Sequence, residues 1–105
     1  MPLDPITTVL GLTAMSPPNN NHILATITPT VIMPNNPYRK LLIIFNDSTA
    51  FLYVHMGNAD VVSSLNYMIK IPPQGYYESP PPVFLGDWYG VWSSANGFAN
   101  VTELV

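Results

Sequence analysis

The sequence predicts an all-β fold: a single small antiparallel β-sandwich, or a squashed barrel, of about seven or eight strands. Twelve prolines and six glycines interrupt the 105 residues, and no uninterrupted stretch between them carries the apolar stripe of a helix. The runs between them are short and rich in β-branched and aromatic residues, and turn-forming residues recur about every ten positions. A chain of this length is expected to form one domain with one core.

Residues 1–21 are predicted to form an extended N-terminal arm and linker, and residues 22–105 the sandwich domain. Within the arm, residues 6–12 have the composition of a strand. The polar sequence SPPNNNH, residues 16–22, then separates the arm from the domain. The N-terminus lacks the basic region and cleavage site of a secretory signal, so export is not expected.

The first half of the domain is predicted to contain an interrupted strand and a hairpin. Residues 23–33 alternate in part, and Pro29 restricts that strand to a sheet edge or a bulge. Residues 39–56 are predicted to pair around the turn-forming sequence NDST. The first strand of this hairpin, RKLLIIF, is apolar on both faces, which is typical of a strand buried on both sides. Alternation in the second strand separates Phe51, Tyr53 and His55 from Leu52, Val54 and Met56.

The second half is predicted to continue with a strand over residues 66–71, a turn over residues 72–75 and a short return strand through Tyr77. Three consecutive prolines, residues 80–82, favour an extended conformation and exclude a central strand. The last two strands are predicted to form a closing hairpin around Asn96 and Gly97, because Asn-Gly is the strongest short signal for a type I′ turn. That pairing would place Trp92 near Val101.

Few residues carry a charge, which narrows the classes of partner. Charged residues make up 9% of the chain, against roughly 25% in an ordinary soluble domain. Three basic residues and a net charge of −3 cannot neutralise a row of phosphates, so neither nucleic acid nor an anionic membrane is an expected partner. No apolar run reaches the ~20 residues that span a bilayer. A surface with so few charges suits contact with other protein.

The residue types needed for catalysis do not occur in a recognisable pattern, and we expect no enzymatic activity, no cofactor and no bound metal. There is no cysteine, and the two histidines, His22 and His55, lack metal-ligand spacing. Neither a G-x-S-x-G nucleophile elbow nor a glycine-rich phosphate loop occurs. The acidic residues fit turns and strand ends.

Five tyrosine and tryptophan residues crowded into seventeen positions form the best candidate for a binding surface: Tyr76, Tyr77, Trp88, Tyr89 and Trp92. Three interpretations stay open. At a protein interface such rings contribute much of the binding energy. Exposed in a row they would stack on sugar rings, as in a carbohydrate-binding module. Between the two sheets they would form the core, and Trp88 and Trp92 share one face of an unbroken strand.

Four segments stand in a recognisable order: NNPYRKLLIIFNDS, FLYVHMG, YMIKIPPQGYYESP and GDWYGVWSSANGFANVTEL. Together, over residues 30–104, they resemble the small β-sandwich proteins on the heads of tailed bacteriophages, where these act as decoration (cement) proteins or head-fibre bases. The resemblance implies a virion protein on the outer capsid surface, made in the host bacterial cytoplasm and commonly a homotrimer. Its partners would be the major capsid protein and, in some cases, a head fibre. Residues 6–21 depart from the family pattern.

The resemblance also implies structural roles for a set of turn and strand-end residues: Arg39, Asn46, Gly75, Asn96, Gly97 and Glu103. Arg39 would pair with Glu78 or Glu103. Asn46 would hold the hairpin turn through its side-chain amide. Gly75 and Gly97 would supply positive φ angles.

The leading hypothesis is therefore a capsid decoration protein that binds and stabilises the assembled head. The arm, through Ile6, Val9 and Leu10, would add a strand to an exposed sheet edge of a neighbour, and the five aromatic residues would contribute to the interface. The alternatives are a carbohydrate-binding module or fibre-tip domain with exposed aromatics, and a structural protein of the neck or tail.

Overall fold

The computed structural model describes residues 19–57 and 62–105. In these two ranges the chain forms eight β-strands and no helix. The strands are β1 (Asn19–Leu24), β2 (Thr30–Met33), β3 (Leu41–Ser48), β4 (Leu52–Met56), β5 (Ile69–Ile71), β6 (Tyr76–Glu78), β7 (Trp88–Trp92) and β8 (Gly97–Leu104). The predicted arm, with Ile6, Val9 and Leu10, lies outside the described residues.

The strands form two four-stranded antiparallel sheets packed face to face, which confirms the predicted β-sandwich. Sheet 1 has the order β1-β8-β3-β6 and sheet 2 the order β2-β7-β4-β5. Strand β1 pairs with β8, β2 with β7, β3 with β6, and β4 with β5. The contacts of β8 with β3 and of β7 with β4 complete the two sheets. This nested pairing is the strand order of an eight-stranded jelly roll.

Six of the seven connections cross from one sheet to the other, and only β4 and β5 are consecutive strands of one sheet. The two predicted hairpins, over residues 39–56 and around Asn96 and Gly97, are therefore wrong. Both strands of each pair exist, but β3 and β8 lie in sheet 1 while β4 and β7 lie in sheet 2. The turn residues are therefore used in crossings between the sheets, which the same local signals allow.

Several strand boundaries also differ from the prediction, and β5 begins at Ile69 although a strand was predicted from residue 66. Residues 23–33 belong to two strands in different sheets, and Pro29 lies between them. Strand β1 begins at Asn19, so residues 19–21 pair with β8 although the sequence assigned them to the linker. Their polar side chains are compatible with a strand because they find partners: the Thr102 hydroxyl donates to Asn20 Oδ1 over 3.0 Å.

The core lies between the sheets and is closely packed. Its largest buried side chains are Ile32, Met33, Leu42, Ile44, Leu52, Val54, Ile71, Trp88 and Val101. The predicted alternation of β4 is observed, since Leu52 and Val54 face this core and Tyr53 belongs to a separate outer cluster. Gly90 faces inward, and a Cβ there would lie 3.0 Å from both Ile32 and Leu52, which flank it on the neighbouring strands β2 and β4 of the same sheet. Glycine therefore leaves room for these two core side chains.

Candidate docking surface

The side chains of sheet 1 that point away from the core form the surface that we call the outer face. Alternation along the strands separates them from the buried positions. The outer face comprises Asn20, His22 and Leu24 of β1, Phe98, Asn100, Thr102 and Leu104 of β8, Leu41, Ile43, Phe45 and Asp47 of β3, and Tyr76 and Glu78 of β6. Strand spacing of about 4.8 Å and a rise of about 3.4 Å per residue give it an area of roughly 500 Å².

Seven of the thirteen side chains of the outer face are apolar, although a sheet face in contact with water ordinarily carries polar residues. Leu24 and Tyr76 are each 71% exposed. Leu41, Ile43, Phe45, Phe98 and Leu104 are half-buried. Among residues 19–57 and 62–105, neither hydrophobic cluster of the molecule includes any of these side chains. The outer face is therefore a second apolar surface that no described part of the chain packs upon.

Neighbouring strands align these side chains in rows. Leu24 lies opposite Phe98, and the His22 ring stacks on Phe98 with 4.0 Å between ring centroids. Phe45 lies opposite Tyr76 in the adjacent strand pair. Leu41 and Leu104 are paired at the other end of the sheet. Polar residues lie between these apolar pairs, because Asn100 separates His22 from Phe45 and Thr102 separates Asn20 from Ile43.

The charges on the outer face have one sign. Asp47 and Glu78 are its only residues with a formal charge at neutral pH. None of the three cations of the chain belongs to it: Arg39 is buried, Lys40 precedes β3, and Lys70 lies on β5 of sheet 2. An acidic character is therefore built into this surface.

Sheet 2 differs because the chain covers much of its outward side. Tyr53 and Val91 pack with the buried Val62, and the Tyr67 ring lies 5.1 Å from the Tyr53 ring. Lys70 Nζ stands 4.6 Å from the centroid of the Phe51 ring. A groove of about 500 Å³ remains beside Tyr53 and Val62. The outward side of sheet 2 is thus already partly packed in the isolated chain.

The five aromatic residues singled out in the sequence do not lie together. Trp88 and Trp92 are buried between the sheets, so the core interpretation applies to them and neither ring can contact a partner or a sugar. Their indole N–H groups donate to Phe84 O over 3.1 Å and to Asn46 Oδ1 over 3.2 Å. Tyr77 packs against the core, and Tyr89 lies on the outward side of sheet 2. Only Tyr76 belongs to the outer face of sheet 1.

Sequence reasoning missed most residues of the outer face, including Leu41, Ile43 and Phe45. The signal that could have found them is the run RKLLIIF, which is apolar at consecutive positions. Such a run indicates burial on both sides of a strand. In the structure, the described residues bury only one side of β3, the side that carries Leu42 and Ile44.

Asn46 is fully buried and links two connections between the sheets to strand β7. Its Nδ2 donates to Ala50 O over 2.8 Å and to Ile71 O and Pro72 O over 3.1 Å each. Its Oδ1 accepts from Trp92 Nε1 and from the Ser48 hydroxyl. The predicted turn role of Asn46 is therefore wider than expected, because the amide joins the β3–β4 and β5–β6 connections to β7.

Arg39 and Glu103 form a buried ion pair, with Nε donating to Oε1 over 2.7 Å. The sequence had left Glu78 or Glu103 open as the partner. Glu103 Oε2 accepts from Asn19 Nδ2 over 2.8 Å and from Asn36 Nδ2 over 3.0 Å. Burial raises the pKa of Glu103, but these hydrogen bonds and the Arg39 charge outweigh it and hold the pKa below its ordinary value. The carboxylate thus fixes the start of β1 to β8.

The two glycines with predicted positive φ differ. Gly97 has a φ of 88°, but Asn96 has no positive φ, so the type I′ turn is absent at this pair. Gly75 does not adopt positive φ; the preceding Gln74 does, with a φ of 63°. A Cβ at Gly75 would lie 2.9 Å from the Pro72 ring, so close packing is the reason for glycine there.

The described residues contain no group of three His, Asp or Glu side chains placed to hold a metal ion. Within residues 19–57 and 62–105 there is no helix that is long and apolar enough to cross a membrane. Comparison with protein-family models, curated proteins and solved structures found no match to this chain.

Proposed function

We propose that this chain is a virion structural protein, a decoration protein that binds and stabilises the assembled head of a tailed bacteriophage. The observation that carries the proposal is the outer face of sheet 1, which is apolar and is covered by no described residue. Monomeric proteins rarely expose continuous apolar patches beyond a few hundred Å², and larger ones mark protein interfaces. Seven apolar side chains on a sheet face that no described residue covers are consistent with such an interface.

Two features of the sequence support the same proposal. The order of segments over residues 30–104 resembles head decoration proteins. The low content of charged residues suits a surface that other protein covers. The jelly-roll order occurs in viral capsid domains and also in lectins, so the fold class alone does not decide between them.

The mechanism is thermodynamic. A ligand that binds only the assembled shell stabilises it by mass action, by about 2.7 kcal/mol for each site at a hundredfold excess over the dissociation constant. The effect is repeated at every equivalent site of the lattice. A homotrimer, as the resemblance implies, would add avidity because its linked faces bind at a high effective concentration. No reactive group takes part.

The carbohydrate-binding alternative loses its main support because Trp88 and Trp92 are buried. The placement at neck or tail uses the same kind of surface and differs in copy number. We therefore expect the purified chain to co-sediment with heads that lack it, and to bind at a copy number that matches the repeating shell. A copy number that matches one ring would move the protein to the neck or tail. Failure to bind any part of the particle would contradict the proposal.

A further inference from the structure

We propose that the outer face of sheet 1 docks on an apolar surface of the shell that is bordered by lysine or arginine side chains, and that these side chains meet Asp47 and Glu78. The inference rests on the proposed function and adds two things to it: the face that binds and the chemistry of the surface that receives it. The apolar centre of the contact would be β3, with the carboxylates toward its border.

The size of the outer face fits an interface. Two surfaces of roughly 500 Å² bury together roughly 1,000 Å², the lower limit for a specific protein–protein contact. Its most exposed apolar side chains, Leu24 and Tyr76, lie at opposite edges of the sheet, on the edge strands β1 and β6. Between them β8 and β3 carry Phe98, Ile43 and Phe45. A partner surface would therefore meet at least one apolar side chain on each strand, with the polar Asn100 and Thr102 between them on β8.

The carboxylates of Asp47 and Glu78 determine which charges the partner surface must carry. The only salt bridge among the described residues joins Arg39 to Glu103, so neither Asp47 nor Glu78 has a cationic partner there. Among the described residues, Gln74 Nε2 donates a hydrogen bond to Asp47 over 3.1 Å. A partner that covers the outer face removes water from both groups, and an ionised carboxylate without a compensating partner strongly opposes such burial. The receiving surface must therefore supply cations.

The same charges argue against a second copy of this face as the occupant. Two outer faces packed together would bring carboxylates and no cation to one interface, because Asp47 and Glu78 are the only formal charges on each. Like charges brought together at an interface oppose association. The one cation on the outward side of sheet 2, Lys70, would allow a contact between unlike faces of two copies.

The test uses the full chain and heads of the phage that encodes it, prepared without this protein. We measure binding as a function of NaCl concentration for the wild type, Glu78→Gln and Glu78→Lys. Affinity of the wild type should fall as salt rises, because salt screens charge pairs at the border of an interface. Glu78→Gln should bind a few-fold more weakly with a shallower salt dependence, and Glu78→Lys should lose about tenfold or more.

A relocation variant separates position from net charge. Glu78→Gln combined with Ser64→Glu keeps the net charge of −3 but moves the carboxylate to an exposed residue of the segment beside sheet 2. It should bind as weakly as Glu78→Gln alone. Both Glu78 and Ser64 are exposed, so thermal unfolding should be unchanged and should show that every variant is folded.

The outcomes are distinct. If the wild type binds heads and the Glu78 variants bind equally well, the inference is overturned while the proposed function stands. If the relocation variant binds like the wild type, net charge and not the outer face governs attachment, which also overturns it. If the wild type does not bind heads, both fail. If sedimentation shows instead that Glu78→Lys or Lys70→Gln abolishes association of the chain with itself, the occupant is a second copy and the inference is wrong.

Discussion

A single buried side chain, Asn46, holds together three parts of the sandwich. Its amide satisfies the carbonyl groups of Ala50, Ile71 and Pro72 and accepts the indole N–H of Trp92. A buried polar group that loses its hydrogen-bond partner destabilises the fold by more than the net stabilisation that the hydrogen bond contributed. The stability of the crossings between the sheets therefore depends on this residue more than on any one turn.

Replacing Asn46 by alanine should lower the free energy of unfolding by roughly 3 kcal/mol, because it leaves buried carbonyls and the Trp92 N–H without partners. Urea unfolding followed by tryptophan fluorescence measures the change. Asn100→Ala on the outer face is the matched control and should stay within about 0.5 kcal/mol of the wild type. Similar losses for the two variants would contradict the role assigned to Asn46.

The ion pair of Glu103 predicts how stability depends on pH. Since the pKa of Glu103 in the folded chain lies below its ordinary value, folding favours the ionised form. The stabilisation is fully present at neutral pH and is lost as pH falls through the ordinary value toward the folded one. Glu103→Gln should be less stable than the wild type by about 3 kcal/mol at pH 7, since it leaves Arg39 buried without its counter-ion.

Unfolding free energies of the wild type and Glu103→Gln, measured from pH 7 to pH 3, test this directly. The gap between the two proteins should narrow toward acid, because only the wild type loses the contribution of the carboxylate. A gap that stays constant over that range would show that the charge of Glu103 does not stabilise the fold.

At the scale of elements, the sequence predicted strands well and their partners poorly. The alternation of β4 and the apolar run of β3 are local properties, and both appear in the structure. The turn signals NDST and Asn-Gly are also local, but the same residues serve a hairpin or a crossing between sheets. The pairing of strands depends on which strands share the core, and this cannot be predicted from any short segment of the sequence. The outer face could be predicted only in part for the same reason, because it combines side chains from strands that are distant in sequence.

Gly97 was predicted as a turn residue, but its role in the structure is to allow β8 to approach β3 closely. A Cβ there would lie 2.6 Å from the Asp47 carbonyl oxygen and 2.7 Å from Ser48 Cα, and φ is positive. Gly57 also has positive φ, but a Cβ would meet only ordinary contacts. Gly97→Ala should therefore cost clearly more than the roughly 1 kcal/mol expected at Gly57. Thermal unfolding of both variants compares them, and equal losses would contradict the close approach of β8 to β3.

The N-terminal arm is the remaining element, and its role stays a prediction because it lies outside the described residues. Deleting residues 1–16 should leave the sandwich folded, since β1 begins at Asn19 and Asn19 itself is bound to Glu103. The shortened chain should attach to heads more weakly than the full chain. Circular dichroism and co-sedimentation measure the two effects, and loss of folding would assign the segment to the core.

At the scale of the whole molecule, the fold divides its surface unequally. The core is satisfied between the sheets, sheet 2 is partly covered by its own chain, and sheet 1 leaves an apolar, acidic surface uncovered by any described residue. A molecule with so few charges gains little solubility from repulsion between copies. Both properties are expected of a protein that works while packed against others.

The comparison of Tyr76→Asp with Tyr38→Asp tests the central claim most directly. Tyr76 belongs to the outer face and is 71% exposed, while Tyr38 lies outside it and is 77% exposed, so neither change should affect folding. If the outer face docks on the shell, Tyr76→Asp should weaken head binding by about tenfold or more, as expected of an interfacial aromatic residue. Tyr38→Asp should bind like the wild type. Equal binding by both variants would contradict the assignment of the outer face as the docking surface.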